Sequence, residues 1–338
     1  MAEGSPGMAV CWRSAGRWMV GEDLLFDRWG NPRMPVPCRG GAAAVESPAM
    51  LGRIRDIAAR LEYWTMRSLR RATPQALVDG LLDRGLFLQP GRETSAPRAL
   101  AEDYARRAEG LGVSLADADV FVVGFGGSYG IGVHLLELGA RRVVLQDPFA
   151  PERSGRNDAL PREVRERYRE ALATDRLAVV HEHVHDHAAG APRTADLVLS
   201  HSVLEHVSDL DALVKGCRAF MRPDGANIHS IDLRDHYFRY PFEMLCYSEY
   251  TWRHFLNASN NLNRLRIPDY ERIFAAHFDQ VTIEPFLWLR DEFRASKARI
   301  RPEFLSGDDE VDAVGEIWLE ARQTIPPQTK GLGMDGAW

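Results

Sequence analysis

The chain has 338 residues, 45% of them hydrophobic and 27% charged, with a formal net charge of −6. That composition suits a globular protein, and the lack of a basic surplus argues against a nucleic-acid partner. Cys11, Cys38, Cys217 and Cys246 form no C-x-x-C pair, so neither a disulfide framework nor a zinc ribbon is suggested, and a reducing cytoplasm is the expected setting. No apolar run reaches about 18 residues, so no membrane helix is expected. The start of the chain also lacks the charged-then-apolar plan of a secretion signal.

Residues 1–50 are rich in Gly, Pro, Arg and Trp with weak periodicity, and Trp12, Trp18 and Trp29 make this part a possible homodimer interface. From Pro48 to about Leu88 the pattern turns helical, with Leu51, Ile54, Ile57, Ala58 and Leu61 on one stripe of a packing helix or cap. "QPGRETSAP" reads as a linker, giving an N-terminal extension over 1–95 and a main domain over 96–325. Within that domain a helix near 98–110 precedes a strand at 119–124, a glycine bend and a helix at 129–139. A strand at 142–146, a helix at 161–172, the strands "RLAVVHEHV" and "ADLVLSHS", and a helix at 208–221 follow. "RPDG" stops that helix and "ANIHSIDL" is a fifth strand. An aromatic-rich insertion over 236–267 breaks the rhythm, after which "IPDYERIFAAHF", "QVTIEPFLWL" and "GEIWLEARQ" supply a helix and two strands. Residues 326–338 read as a tail. Such alternation predicts an α/β fold, a mostly parallel sheet covered on both faces by helices.

Gly124 and Gly126 let the backbone turn sharply and approach a ligand, and the helix after them offers unpaired N–H groups to an anion. A dinucleotide fingerprint would place a third glycine where Tyr129 stands, which disfavours an NAD-dependent oxidoreductase without removing it as the alternative. Asp147 closes the second strand, where an acid accepts from the hydroxyls of an adenosine ribose.

The segment "ADLVLSHSVLEHVSDLDALVKGCRAFMRPDGANIHSIDL" resembles the second half of class I S-adenosylmethionine-dependent methyltransferases, and the resemblance runs over roughly 98–290. "GFGGSYGIG", "LQDPF" and "IHSIDLRDHY … NRLR" look like a bacterial subgroup that acts on small molecules. The resemblance implies a Rossmann-like, doubly wound sheet of seven strands with an insertion after strand five, and S-adenosyl-L-methionine as methyl donor. It assigns Gly124, Phe125 and Gly126 to the donor's methionine end. Ser128 stands at the third glycine position of the usual G-x-G-x-G, so close approach there shifts toward Gly130. Asp147 would bind the ribose, Pro148 and Phe149 would flank the adenine, and Asp186 would accept from the adenine amino group. Ser200 and His201 would lie beneath the sulfonium.

Three stretches carry further polar chemistry. In "HEHVHDH", His181, His183, His185 and His187 recur at period two, so an extended strand would align them for a metal, against the reading of a plain exposed loop. In "LEHVSD", Glu205, His206 and Asp209 either brace the start of a helix or offer a weak divalent-cation site. In "HSIDLRDHY", Asp232, Arg234, Asp235 and His236 stand beyond a strand's carboxyl end, where α/β sheets bind ligands. They are read as acceptor-binding, with His236 or His201 as base and Asp232 or Asp235 holding the imidazole. The competing reading is a structural network of Asp232 or Asp235 with Arg239 or Arg264. His229 reads as a satisfied core histidine. The expected activity is O-methylation of a small-molecule acceptor under an aromatic lid of Tyr237, Phe238, Tyr240, Phe242, Tyr247, Tyr250, Trp252 and Phe255. A non-catalytic partner protein of the same fold is a further alternative. Methylation of a nucleic-acid base is less expected, given the acidic balance and the absence of Asn-Pro-Pro-Tyr after strand four, while protein and polysaccharide acceptors stay open.

Overall fold

The computed structural model describes residues 13–14, 17–18, 48–73, 95–150, 155–190, 193–237, 239–257 and 262–324. The chain divides into two compact units, Met1–Arg55 and Asp56–Trp338. In the first, a two-residue ribbon pairs Arg13–Ser14 with Arg17–Trp18. Helix α1 spans Pro48–Ala72. The expected continuation of its pattern to Leu88, most of the linker and the tail lie outside the described residues.

In chain order the second unit continues with α2 (Pro97–Gly110), β1 (Asp119–Val123), α3 (Gly130–Glu137) and β2 (Arg142–Gln146). Next come α4 (Arg162–Ala173), β3 (Leu177–Val180), α5 (Val184–Gly190), β4 (Ala195–His201), α6 (Leu210–Phe220) and β5 (Met221–Asp232). The chain closes with α7 (Ile267–Ala275), β6 (Gln280–Trp288), α8 (Arg290–Ser296) and β7 (Val314–Arg322). The seven strands form one sheet in the order β3-β2-β1-β4-β5-β7-β6. β1 to β5 run parallel, and β7 is antiparallel to both of its neighbours. This is the expected doubly wound, mostly parallel seven-stranded sheet.

The strands are near-continuous apolar runs because both faces are covered. On one face Leu100, Tyr104, Ile131, Leu135 and Ala171, from α2, α3 and α4, pack on Val120, Val122 and Leu145. On the other, Val184, Val214, Tyr270 and Phe274, from α5, α6 and α7, pack on Phe121, Val198 and Ile231. Polar residues lock the strand starts together. Asp196, which opens β4, accepts from the Asp119 amide at 2.7 Å and from Arg222 at 2.5 Å.

Two expectations are corrected. β3 ends at Val180, so His183 to His187 do not lie on an extended strand: α5 starts at Val184, with Val184 and Ala188 on its buried side. The helix forms because those two apolar residues fall i, i+4 apart and meet the core, which cancels the period-two alignment of the histidines. On α1, Ile57, Ala58 and Leu61 of the expected apolar stripe are exposed while Tyr63 and Arg67 are buried, and the side chains of Leu51 and Ile54 lie outside the described residues. Tyr63 and Arg67 make an aromatic and ionic contact with the insertion.

That insertion forms a third apolar cluster, in which Tyr63 joins Phe242, Met244, Leu245, Trp252, Leu256, Leu262, Phe293 and Ile300. Tyr63 stacks on Tyr247 with ring centroids 5.8 Å apart. Of the expected lid aromatics, Phe242 and Trp252 are core residues, Tyr250 and Phe255 are exposed, and Phe238 lies outside the described residues.

Candidate functional site

Because β2, β1, β4 and β5 are parallel neighbours, their carboxyl ends open on one edge of the sheet. Val123 lies beside Ser200 and His201 beside Ser230, so the bends after β1 and β4 and the end of β5 share that edge.

The bend after β1 requires glycine. Gly124 has φ +70°, and a Cβ there would lie 2.3 Å from Cγ2 of Val203. Gly126 and Gly127 have φ of +61° and +76°, the left-handed region that only glycine enters at no steric cost. Asp147 braces this bend. One carboxylate oxygen accepts from the Gly126 amide at 3.1 Å, and the other from the amides of Phe149 at 2.9 Å and Ala150 at 3.1 Å. A latch not foreseen from the sequence comes from the helical turn Gly155–Asp158. Arg156 donates to the Gly126 carbonyl at 2.6 Å. Asn157 donates to Gly127 O at 2.9 Å and accepts from the Tyr129 amide at 2.9 Å. No glycine pattern or charge run marks these two residues, whose partners are backbone atoms.

The Phe125 ring is 1% exposed in the cluster under α2 and α3, and its backbone lines the bend. Ser128 is fully buried, and its Oγ lies 3.5 Å from the Gly130 amide. Pro148 is half-buried. Phe149 is 86% exposed, with its ring edge-on to His183 at 5.9 Å. His181 Nδ1 lies 3.2 Å from the Asp147 carbonyl, so the acid's loop and the histidine segment meet. Asp186 is exposed in the first turn of α5, 3.3 Å from His185.

At the end of β4, the Ser200 side chain turns into the core. Its fully buried Oγ lies 2.7 Å from His229 Nδ1, which commits the hydroxyl to the interior. His201, next in the strand, is half-buried on the opposite face. His229 is a core histidine: burial drives its pKa down to about 3. The unfolded chain takes up a proton near pH 6.5 that the folded chain refuses, so this group's stabilisation is lost as pH falls from 6.5 toward 3. Relative to His229→Gln, the wild-type unfolding free energy should fall by about 1.4 kcal/mol per pH unit across that window. Denaturant melts of both proteins check this, and a pH-independent difference would refute it.

Beyond β5 the acids are paired, with partners other than those expected. Arg234 holds Asp232 through two bonds of 2.8 Å and reaches Glu316 at 2.5 Å. Asp235, fully buried, accepts from the Tyr63 hydroxyl at 2.5 Å, from Arg67 and from the Tyr237 amide at 2.9 Å. Arg239 instead pairs with Glu62, and Arg264 with Glu249. Asp235 therefore ties α1 to this loop. His236 meets His206 edge-on with centroids 4.7 Å apart, and burial lowers its pKa to about 4, which leaves it neutral near pH 7. Glu205 lies in a short turn, Leu204–His206, 3% exposed, and burial with Asp232 nearby raises its pKa well above the carboxylate range. One ligand atom each from Glu205, His206 and His236 lie within 4.8 Å of one another. Asp209 does not join them, because its carboxylate caps α6 by accepting from the Ala212 amide at 3.0 Å.

A family model described as a methyltransferase domain matches residues 129–228. No curated protein matches the chain. Among solved structures, the chain is similar to phosphoethanolamine N-methyltransferase 2 of Haemonchus contortus with S-adenosyl-L-methionine, at 15% identity and TM-score 0.42, covering 66% of this chain and 52% of that one. It is similar to a geranyl diphosphate methyltransferase at 15% identity and TM-score 0.42, over 67% and 85% of the two chains. A third is a putative sarcosine dimethylglycine methyltransferase from Galdieria sulphuraria, at 14% identity and TM-score 0.41, over 66% and 84%. The chain thus spans about half the length of the first of these relatives, at 52%. Among the described residues no helix is long and apolar enough to cross a membrane.

Proposed function

We propose that the chain carries a class I, S-adenosylmethionine-dependent methyltransferase domain and passes the donor's methyl group to an oxygen of a small-molecule acceptor. The observation that carries this reading is the shared edge, where a glycine bend braced by Asp147 adjoins half-buried histidines at the ends of β4 and β5. The donor supplies an electrophilic methyl on a sulfonium. Gly124, Gly126 and Gly127 let the backbone approach its methionine end, and the Asp147 carboxylate stands where the ribose hydroxyls would donate. Asp186, Pro148 and Phe149 would border the adenine.

The acceptor would lie against His201, His206 and His236. Its O–H bond breaks toward a neutral imidazole, the new O–C bond forms in line, and the C–S bond breaks to leave a thioether. Neither Asp232 nor Asp235 needs to act directly: Arg234 and the Tyr63–Arg67 pair engage them, and they serve by fixing the loop that bears His236. The carboxylates and the histidines at this edge support an oxygen acceptor, whose proton must be removed, over an amine that carries its own lone pair.

S-adenosylmethionine at 100 times its dissociation constant should stabilise the protein by about 2.7 kcal/mol, whereas NAD should leave the melting curve unchanged. Label from a methyl-tritiated donor should then enter hydroxyl-bearing compounds in a mixed small-molecule pool. A shift with NAD alone would overturn the donor assignment, and label found only in amines would overturn the oxygen acceptor.

A further inference from the structure

We infer that Glu205, His206 and His236 form a binding site for a divalent transition-metal cation at the acceptor edge. Three ligand atoms within 4.8 Å of one another come from the turn after β4 and the loop after β5, two segments far apart in sequence. The decisive group is Glu205. Both of its carboxylate oxygens are buried with no side-chain partner in the described residues, the residue being 3% exposed and its main-chain carbonyl taken by the Asn263 amide at 2.8 Å. A buried carboxyl group with no partner is costly, and a coordinated cation is one arrangement that repays it. The surrounding charge points the same way. Arg234 bridges Asp232 and Glu316, so its guanidinium is already engaged by two acids other than Glu205.

The ligand set selects the class of ion. Two imidazoles and one carboxylate suit zinc, iron, cobalt or manganese better than magnesium, which prefers oxygen alone. Three protein ligands leave positions open for an outside oxygen. A cation there would hold an acceptor hydroxyl and ease loss of its proton, with His201 remaining as the proton acceptor. Only this consequence rests on the acceptor reading; the binding itself does not.

The full chain, stripped with a chelator, is titrated with Co2+ and followed by the visible absorption of the bound ion. One ion per chain is expected. His206→Ala and His236→Ala should each weaken it at least about tenfold, as should Glu205→Gln. Asp209→Asn should bind like the wild type. Metal-free melting curves of the two histidine variants, both half-buried sites, confirm folding should Glu205→Gln prove unstable. Absence of stoichiometric binding overturns the site. So does binding that survives both histidine variants but is lost in His183→Ala/His185→Ala, since the ion would then lie at α5. S-adenosylhomocysteine titrated into the same samples separates the two readings, because donor-product binding without metal binding defeats only the metal site.

Discussion

Asp147→Ala should weaken binding of S-adenosylmethionine about 100-fold, while the fold survives. The carboxylate does two things at once. It accepts from the amides of Gly126, Phe149 and Ala150, and so holds the bend after β1 in place. It also stands at the end of β2, where ribose hydroxyls would donate to it. Hydrogen bonds to a charged group contribute about 1.5–3 kcal/mol each, and about 1.4 kcal/mol is tenfold in affinity, so losing the ribose contacts and loosening the bend reaches about two orders of magnitude. Asp147→Asn should lose less, because an amide oxygen still accepts. Calorimetric titration of the three proteins checks the ranking. An Ala variant within threefold of the wild type would remove Asp147 from the donor site.

Asp235→Ala should cost about 3–5 kcal/mol of stability, the penalty for stripping the partner from a buried cation. Asp235 is fully buried, Arg67 is 3% exposed, and Tyr63 is fully buried with its hydroxyl pointing at the same carboxylate. Truncation leaves the guanidinium paired with the Tyr63 ring and Trp252, whose centroid lies 4.9 Å away, but with no counter-charge. Tyr63→Phe should cost only about 1–2 kcal/mol, since the Arg67 contact persists. Chemical denaturation compares them. Equal losses for both variants, or less than about 1 kcal/mol for Asp235→Ala, would show that the ion pair does not seat α1.

Much of the glycine bend and the strands around it was legible because it rests on local rules. A buried parallel strand writes itself as "VFVV" or "ADLVLSH", and a left-handed bend writes itself as glycine. The one-residue positions of Gly124, Gly126 and Asp147 follow from those two constraints. Phe125 and Ser200 turn their side chains into the core for a local reason as well: residues adjacent in an extended segment point to opposite sides. The latch by Arg156 and Asn157 left no trace in the sequence, because a side chain that bonds to main-chain atoms needs no matching partner type.

The acceptor half was legible in its residues and not in its pairings. "LRDHY" announced a polar cluster beyond β5, but the choice among arginines depended on distance in space. Arg67 lies 168 residues from Asp235 and won over Arg239 and Arg264, which pair with Glu62 and Glu249. The histidines of "HEHVHDH" looked like a ligand set only while the segment was taken as a strand. The i, i+4 pair Val184 and Ala188 makes it a helix, and burial of apolar surface outweighs an alternation that no partner rewards.

By itself, then, the sequence determined the layer architecture and the glycine-and-acid corner after β1 and β2, both of which follow from period, burial and backbone conformation within short windows. The tertiary structure alone decided which charges meet. It seated Tyr63 and Arg67 on Asp235 and drew Glu205, His206 and His236 together. Side-chain pairing across the chain depends on where whole elements dock, and that is set by the packing of the complete core rather than by any local stretch.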